Sequence, residues 1–367
     1  SKPIIKESEH LFFKLSKLKK EIISWLNNSN IQEPVRNKLN EWLEGELRDW
    51  DISRDSPYFG FEIPDHKDKY FYVWLDAPIG YLASHLNYLK KIDAESNFEA
   101  FWKPDSTSEV FHFIGKDIMY FHTLFFPVML SESDLKTPDG VFVHGFLTLN
   151  GEKMSKSRGN FISAENYIGN LDPDYLRYFF ASKLGTGVDD IDLNLEDFKQ
   201  KSNSDLVNKY VNIASRTAKF LNKDFGGVLS ENLDQPELLK EFEEKAKTIS
   251  QLYEKLELSK AIKEIMSLAD KANQYIDSKE PWVLIKDEGN KDLVHAICTT
   301  SLNLFRIITI MLHPVIPGFT NKAFEFLNEN NISWENMETP LTGCKINEFS
   351  PIITRIDENH INNLLGN

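Results

Sequence analysis

The stretch VFHFIGKDIMYFHTLFFPVMLSESDLKTPDGVFVHG, residues 110–145, decides the fold class. It opens with the strand-like run Val110-Phe111-His112-Phe113-Ile114, halted by Gly115. A helical stretch follows over about 118–130, then a second β-branched and aromatic run, Val141-Phe142-Val143-His144, stopped by Gly145. Strands separated by a helix at this spacing indicate a parallel α/β sheet. Upstream, Tyr70-Phe71-Tyr72-Val73-Trp74 reads as another strand, ending at Asp76-Ala77-Pro78 and followed by a helix over 79–91. Three strands are few for such a sheet, so part of it is expected outside this chain.

Before residue 69 the sequence mixes a strand (9–13) with amphipathic helices. Leu18, Ile22, Ile23 and Leu26 recur at helical spacing, as do Val35, Leu39, Trp42 and Leu43. After residue 204 the chain reads as helices over 205–221, 236–256, 259–276 and 292–312, with a shorter one after Glu280 in which Pro281 occupies the first turn. The 222–235 segment, with Gly226-Gly227, is a loop.

Length and composition narrow the class. At about 100–200 residues per domain, 367 residues predict two or three domains. The 41% apolar and 27% charged content excludes a disordered or low-complexity chain. Two cysteines, Cys298 and Cys344, exclude a disulfide framework and a four-cysteine zinc site, and suit a reducing compartment. No apolar run reaches membrane-spanning length. The 42 basic against 56 acidic residues, net −14, argue against a non-specific nucleic-acid coat but leave room for a local basic site.

The sharpest chemical feature is Gly151-Glu152-Lys153-Met154-Ser155-Lys156-Ser157-Arg158-Gly159-Asn160, directly after the last strand. Ends of parallel strands are where α/β folds bind nucleotides. Lysines and hydroxyls in a short loop can clamp a departing pyrophosphate; as a bare charge run the same loop is only a solvated surface.

Lys153–Ser157 resembles the Lys-Met-Ser-Lys-Ser signature of class I aminoacyl-tRNA synthetases. The surroundings resemble the methionyl-tRNA synthetase family. Trp74-Leu75-Asp76-Ala77-Pro78-Ile79-Gly80-Tyr81 is similar to its methionine-pocket segment, and Gly115-Lys116-Asp117 with His122 to the Gly-x-Asp-x4-His element. Residues 188–194 and 211–216 resemble the stem-contact and anticodon-domain signatures. The resemblance spans essentially the whole chain. The early His-x-Gly-His signature and the zinc-knuckle cysteines are missing. A C-terminal portion lacking the first half of the catalytic domain is therefore expected, inactive alone, with any zinc in the missing part.

The resemblance implies the second half of a Rossmann-type nucleotide-binding fold followed by an all-α anticodon-binding bundle. The expected division is 1–68 remainder of an inserted domain, 69–147 catalytic half, 148–203 signature loop and stem-contact region, and 204–367 helical domain. It implies a methionine–tRNA ligase using ATP with Mg2+ and tRNA(Met), initiator and elongator, in the cytoplasm, without membrane contact and with no metal held by these residues. A non-catalytic tRNA-binding module is the second reading. Lys153 and Lys156 are the expected catalytic cations, and Gly115, Asp117, His144, Gly145, Ser155 and Ser157 complete the ATP site. Trp74, Ala77, Pro78, Tyr81, Ile118 and His122 are the methionine-pocket candidates, and Asn212, Arg216 and Trp282 the anticodon candidates. Read without the resemblance, Asp117 is equally a helix N-cap, His144 a strand-end histidine, the pocket aromatics core, and Trp282 a buried aromatic, while Arg54 either faces the active site from the inserted domain or is half of an Arg–Asp surface pair. Phe126 stands where many family members have Trp, which puts the stacking of the pocket's aromatics in question.

Overall fold

The structure, a computed structural model, describes residues 7–155, 160–330 and 333–365. The chain divides into two compact units, one of residues 1–146 with 187–189 and one of residues 147–186 with 190–367.

The first unit is built on a three-stranded parallel sheet ordered Asn30–Ile31, Gly140–His144, Phe111–Gly115. Phe111–Gly115 alternates, sending His112 and Ile114 inward and Phe111 and Phe113 outward, as a strand buried on one face must. Ile114, Val141 and Val143 meet Leu124, Phe125 and Val128 in one core, which also takes Ile22 and Leu26 of helix Lys19–Asn28 and Val35 and Leu39 of helix Glu33–Glu44. Residues on both sides of position 68 share that core. Gly140 makes the middle strand possible: a Cβ there meets the Asn30 carbonyl oxygen at 2.8 Å and the Phe111 ring at 2.9 Å.

One strand assignment is corrected. The run 70–74 is not a strand of the parallel sheet. Lys69–Phe71 pairs antiparallel with Ser53–Asp55, and Val73–Asp76 is a helical turn closed by the Ala77 amide on the Val73 carbonyl, 2.8 Å. Trp74 stacks face to face on Phe121, with ring centroids 4.5 Å apart. That contact overrides the strand preference of a β-branched, aromatic run. The third parallel strand is the two-residue Asn30–Ile31, too short to carry a period.

In the second unit, Leu147–Leu149 lies between Ile191–Leu193, parallel, and Glu152–Lys153, antiparallel. The rest is a helical bundle around Lys291–Leu312. Against that axis pack Asn212–Asp224, Pro236–Glu254, Leu258–Lys279 and Pro317–Leu327. Among the described residues Glu288–Leu312 is the one helix long and apolar enough to cross a membrane, and it is the buried core of the bundle. Its buried Arg306 is answered by Glu329, Nε to Oε2 2.7 Å. A Rossmann-like α/β domain followed by a helical domain is thus the architecture.

Gly140→Ala is expected to lower the stability of the first unit by about 1–3 kcal/mol, the usual cost of forcing an extra methyl into a packed site. The readout is a lower urea midpoint at unchanged slope. An unchanged midpoint means the strands separate freely and the spacing argument fails.

Candidate functional site

Three groups of candidate residues emerge, and each is built locally.

The first lies in the first unit, where helix Ile79–Lys91 faces the π-helical turn Phe121–Phe125. The Tyr81 hydroxyl and His122 Nε2 are 2.8 Å apart, and His122 Nδ1 is 3.0 Å from the Ile118 carbonyl. A carbonyl only accepts, so Nδ1 carries the proton and Nε2 accepts from Tyr81. His122 is buried, and burial holds it below its ordinary pKa, so the ring is neutral. Trp74 stands edge-on to His122 at 6.4 Å. Phe126 is buried behind the cluster, 5.8 Å from the Tyr81 ring and 6.3 Å from His122. Trp74, Tyr81, Ile118 and His122 therefore come together. Ala77 and Pro78 act through the backbone, their carbonyls accepting from Gly80 and Tyr81 in the turn that presents Tyr81.

His112 belongs to this cluster and is not among the residues singled out from the sequence. Its ring is 4.8 Å from Tyr81, 5.6 Å from His122 and 5.5 Å from Phe126. Burial, with the neighbouring His122, pushes its pKa down to about 4. The inward phase of the strand, shared with Ile114, is the signal that finds it.

The second group stands at the carboxyl ends of the two longer parallel strands, the usual nucleotide crevice of such sheets. Gly115 and His144 are register partners. A Cβ on Gly115 would sit 2.6 Å from Asp117 Oδ1, so the glycine makes room for that carboxylate. Among the described residues Asp117 caps no helix, which leaves its carboxylate to other partners. His144 Nδ1 donates to the Gly145 carbonyl, 2.8 Å, and Lys116 lies over the Phe146 ring at 4.6 Å.

The lysine loop is anchored in the second unit by a two-residue hairpin. Asn150 and Gly151 both take positive φ, 50° and 81°, as a type I′ turn requires. The Asn-Gly dipeptide is the sequence signal for it. Asp192 Oδ1 accepts from Thr148 Oγ1 and from the Gly151 amide, each at 2.7 Å. This fixes Lys153 on the returning strand. Asn160 closes the loop's base: its Oδ1 accepts from the Ser155 amide at 3.0 Å and its Nδ2 donates to the Lys153 carbonyl at 3.0 Å. Lys156 and Ser157 lie outside the described residues.

The third group is on the bundle. Arg216 is paired with Asp277 and sits over the Trp282 ring, 4.9 Å from its centroid. Asn212 Nδ2 donates to Asn273 Oδ1, 2.8 Å. Trp282 is 36% exposed, so it is not a core aromatic. Arg54 is half of an Arg–Asp pair. It pairs with Asp51 at 3.2 Å and stacks over Tyr72 at 4.1 Å, while Asp55 is taken by Lys69 at 2.5 Å. Among the described residues no cluster of three His, Cys, Asp or Glu could hold a metal ion.

Residues 1–218 match the family model of class I tRNA synthetases (M), and residues 226–347 match the anticodon-binding domain of methionyl tRNA ligase. Two structures of Mycobacterium tuberculosis methionyl-tRNA synthetase with methionyl-adenylate are similar at 27% identity, with TM-scores of 0.82 and 0.83. Each alignment covers 95% of this chain and 69% of that one. The apo form of the same enzyme, at 24% identity and TM-score 0.82 over 96% of this chain and 70% of that one, shares the fold.

The depressed pKa of His112 predicts a pH dependence. The unfolded imidazole takes its proton near its ordinary 6.5, the folded one only near 4. Its contribution to stability is complete above 6.5 and is lost as pH falls from there towards 4, of order 3 kcal/mol in all. His112→Gln should shrink the difference in urea midpoint between neutral and acid pH. An undiminished difference places the titration elsewhere.

Proposed function

The chain belongs to the methionyl class I tRNA synthetases, and from that premise we propose how its residues serve ATP-dependent activation of methionine and its transfer to tRNA. In the first step the methionine carboxylate attacks the α-phosphorus of ATP and pyrophosphate leaves. In the second the adenylate acylates the terminal adenosine of the tRNA. Both steps need positioning and charge stabilisation more than a protein nucleophile.

The hydrogen-bonded line from Tyr81 through His122 to the Ile118 carbonyl carries the reading of the amino-acid pocket. Its members are neutral, and with Trp74 they present ring surface to a polarizable thioether. The one hydroxyl proton of Tyr81 is committed to His122, so the sulfur is met by ring edges and by the hydroxyl oxygen's placement, not by a strong donor. Ala77 and Pro78 set the turn beneath. Gly115, Asp117, His144 and Gly145 serve the ribose and adenine, since a carboxylate accepts from sugar hydroxyls at a strand end. Lys153, Ser155, Lys156 and Ser157 serve the phosphates of ATP, bound as its Mg2+ complex. Residues 69–147, with the strand Asn30–Ile31 and the helices that flank it, are then the nucleotide-binding half, the rest of 1–68 the remainder of an inserted domain, 148–203 the signature-loop and stem-contact region, and 204–367 the anticodon-binding domain. Asn212, Arg216 and Trp282 read the anticodon of initiator and elongator tRNA(Met), by base-edge hydrogen bonds and stacking. The enzyme works in the cytoplasm.

Tyr81→Phe keeps the ring and leaves His122 Nε2 without its donor. The stability of the first unit should fall by about 1–2 kcal/mol, the cost of an unpaired buried acceptor, and methionine binding, measured by equilibrium dialysis, should weaken because His122 is no longer held in place. Full affinity would leave the hydroxyl outside the pocket's function.

Trp282→Ala should weaken binding of tRNA(Met) by about 1–3 kcal/mol, the worth of a base stacked on an aromatic. It should leave binding of a tRNA with a substituted anticodon unchanged, so the ratio of the two affinities collapses. Equal losses for both tRNAs would make Trp282 a packing residue.

A further inference from the structure

A cavity of about 540 Å³ opens in the first unit, away from the nucleotide candidates. Helix Lys19–Asn28, helix Phe126–Ser131 and the segment 136–139 enclose it. Asp139 directly precedes the strand Gly140–His144, so the cavity stands at that strand's amino end, whereas Gly145 follows its carboxyl end. Five residues at ~3.3 Å each keep the two ends roughly 15 Å apart. Small-molecule sites measure about 300–1,000 Å³, so the cavity suits a ligand the size of a mononucleotide. None of the comparisons assigns it a role.

Two kinds of surface meet there. Trp25, Pro104, Pro127, Val128 and Pro138 form an apolar wall, mostly of rings. The Trp25 indole N–H donates to the Pro138 carbonyl at 2.7 Å, which ties the helix to the segment before the strand and holds the wall in place. The polar side is rich in donors. Lys20, Ser24, Ser131 and Thr137 line the cavity, and among the described residues their side chains have no hydrogen-bond or ionic partner. Lys136 is buried at the base, 9% exposed. Its ammonium reaches Asp139 Oδ1 at 3.1 Å and the Ser106 carbonyl at 3.4 Å, which leaves one of its hydrogens for the cavity. Asp139 is engaged at both oxygens, since Oδ2 accepts from the Val110 amide at 2.7 Å. Asn28 Nδ2 donates to the Ser24 carbonyl at 2.8 Å, so the amide oxygen of Asn28 and the Glu21 carboxylate are the acceptors that remain. Neighbouring positions on a helix do not face each other, so Glu21 leaves the charge of Lys20 uncompensated.

We propose that this cavity binds a phosphate monoester carrying one planar ring, a molecule of nucleoside-monophosphate size. The ring lies against Trp25 and the prolines, where its apolar faces leave water. The phosphate takes the ammonium of Lys20, the spare hydrogen of Lys136 and the nearest hydroxyls. A phosphate presents acceptor oxygens on several sides and, as the dianion, no donor, which matches a site whose open groups are mostly donors. A carboxylate has fewer oxygens and leaves more of those donors unmet. The occupant bridges helix Lys19–Asn28 and the segment 136–139, so it steadies the start of the strand Gly140–His144 and stabilises the first unit. The cavity uses none of the residues assigned to methionine, ATP or tRNA, so its occupancy is tested apart from that reading.

Phenyl phosphate is the probe, titrated into the isotope-labelled chain, with phenol and inorganic phosphate as its two halves. The indole N–H resonance of Trp25, assigned by its loss in Trp25→Phe, reports the cavity and not the ATP site. A saturable shift is expected at roughly millimolar affinity, as a ligand of so few atoms allows, with each half at least about tenfold weaker. Lys20 and Ser131 are exposed, so both can be replaced without disturbing the core. Lys20→Glu should weaken phenyl phosphate by about five- to tenfold, the worth of a charge-assisted contact, and leave phenol unchanged. Ser131→Trp fills the mouth and should abolish the shift at an unaltered urea midpoint. The assignment is overturned by the absence of a saturable shift at Trp25, by inorganic phosphate binding as tightly as phenyl phosphate, or by unchanged affinity in Lys20→Glu. Tighter binding of benzoate than of phenyl phosphate overturns it as well, since the site would then select carboxylates.

Discussion

The parallel pairing of Phe111–Gly115 with Gly140–His144 fixes the first unit's chemistry, because everything near the site is placed by its register. Gly140 lets the middle strand approach both neighbours where a methyl group would strike the Asn30 carbonyl. Once the strands are in register, Gly115 and His144 end side by side and the chain must turn within a residue or two. The turn after Gly115 delivers Asp117 over the glycine, and the π-turn beyond it delivers His122 to Tyr81. A one-residue slip would send His112 and Ile114 to the opposite face and remove both the core and the floor of the pocket at once. Site and fold are therefore specified by the same hydrogen bonds in this unit.

In the second unit the anchoring is by side chains. The Asn150-Gly151 turn, the Asp192 carboxylate from 41 positions away and the Asn160 side chain hold the ends of the lysine loop. On the bundle, Lys209–Asp270 and Asn212–Asn273 bonds join two helices. Such side-chain clamps orient cationic groups without burying them. Cations that must meet a phosphate and then release it should stay near water, since burial would raise the cost of the charged state in the empty site.

How much of this was legible beforehand depended on how strongly each feature was periodic. The strands around Phe113 and Phe142 and the long bundle helices carry clear alternation or 3.6-residue spacing, and the structure has them. Lys153–Ser157 is a specific string and needed no periodicity. Asn30–Ile31 is not legible because two residues carry no period, and Val73–Asp76 reads as strand because the stacking of Trp74 on Phe121 that bends it is a contact across 47 positions. Tyr81 and His122 were nominated by resemblance, yet their 2.8 Å bond and the tautomer it fixes are tertiary facts. His112 and Asn160 carry no chemical signal of their own in the sequence. A lone inward histidine and a loop-closing asparagine look ordinary until their neighbours are known. The Arg–Asp pair at Arg54 illustrates the converse: it is made with Asp51 three residues away, and so close a partner is within reach of a sequence reading.

The two candidate sites handle polar groups in opposite ways, and the contrast follows from what each is proposed to recognise. Around Tyr81 the polar atoms are few and buried, and the histidines are pressed towards their neutral forms. A pocket of neutral rings suits an uncharged thioether and rejects a charged side chain of similar length, which would have to shed its water with no counter-charge to receive it. On the bundle around Trp282 the polar groups are charged and close to water: Lys209 with Asp270, Asn212 with Asn273 and Arg216 with Asp277 join two helices. Arg216 is held over the Trp282 ring by its carboxylate partner, so the cation stays oriented and hydrated while the indole keeps one face open. An open aromatic face beside an oriented guanidinium suits the proposed unpaired base, which needs stacking surface and a donor together. A buried aromatic could supply neither without rearrangement, so the exposure of Trp282 follows from the same requirement that keeps the methionine pocket dry.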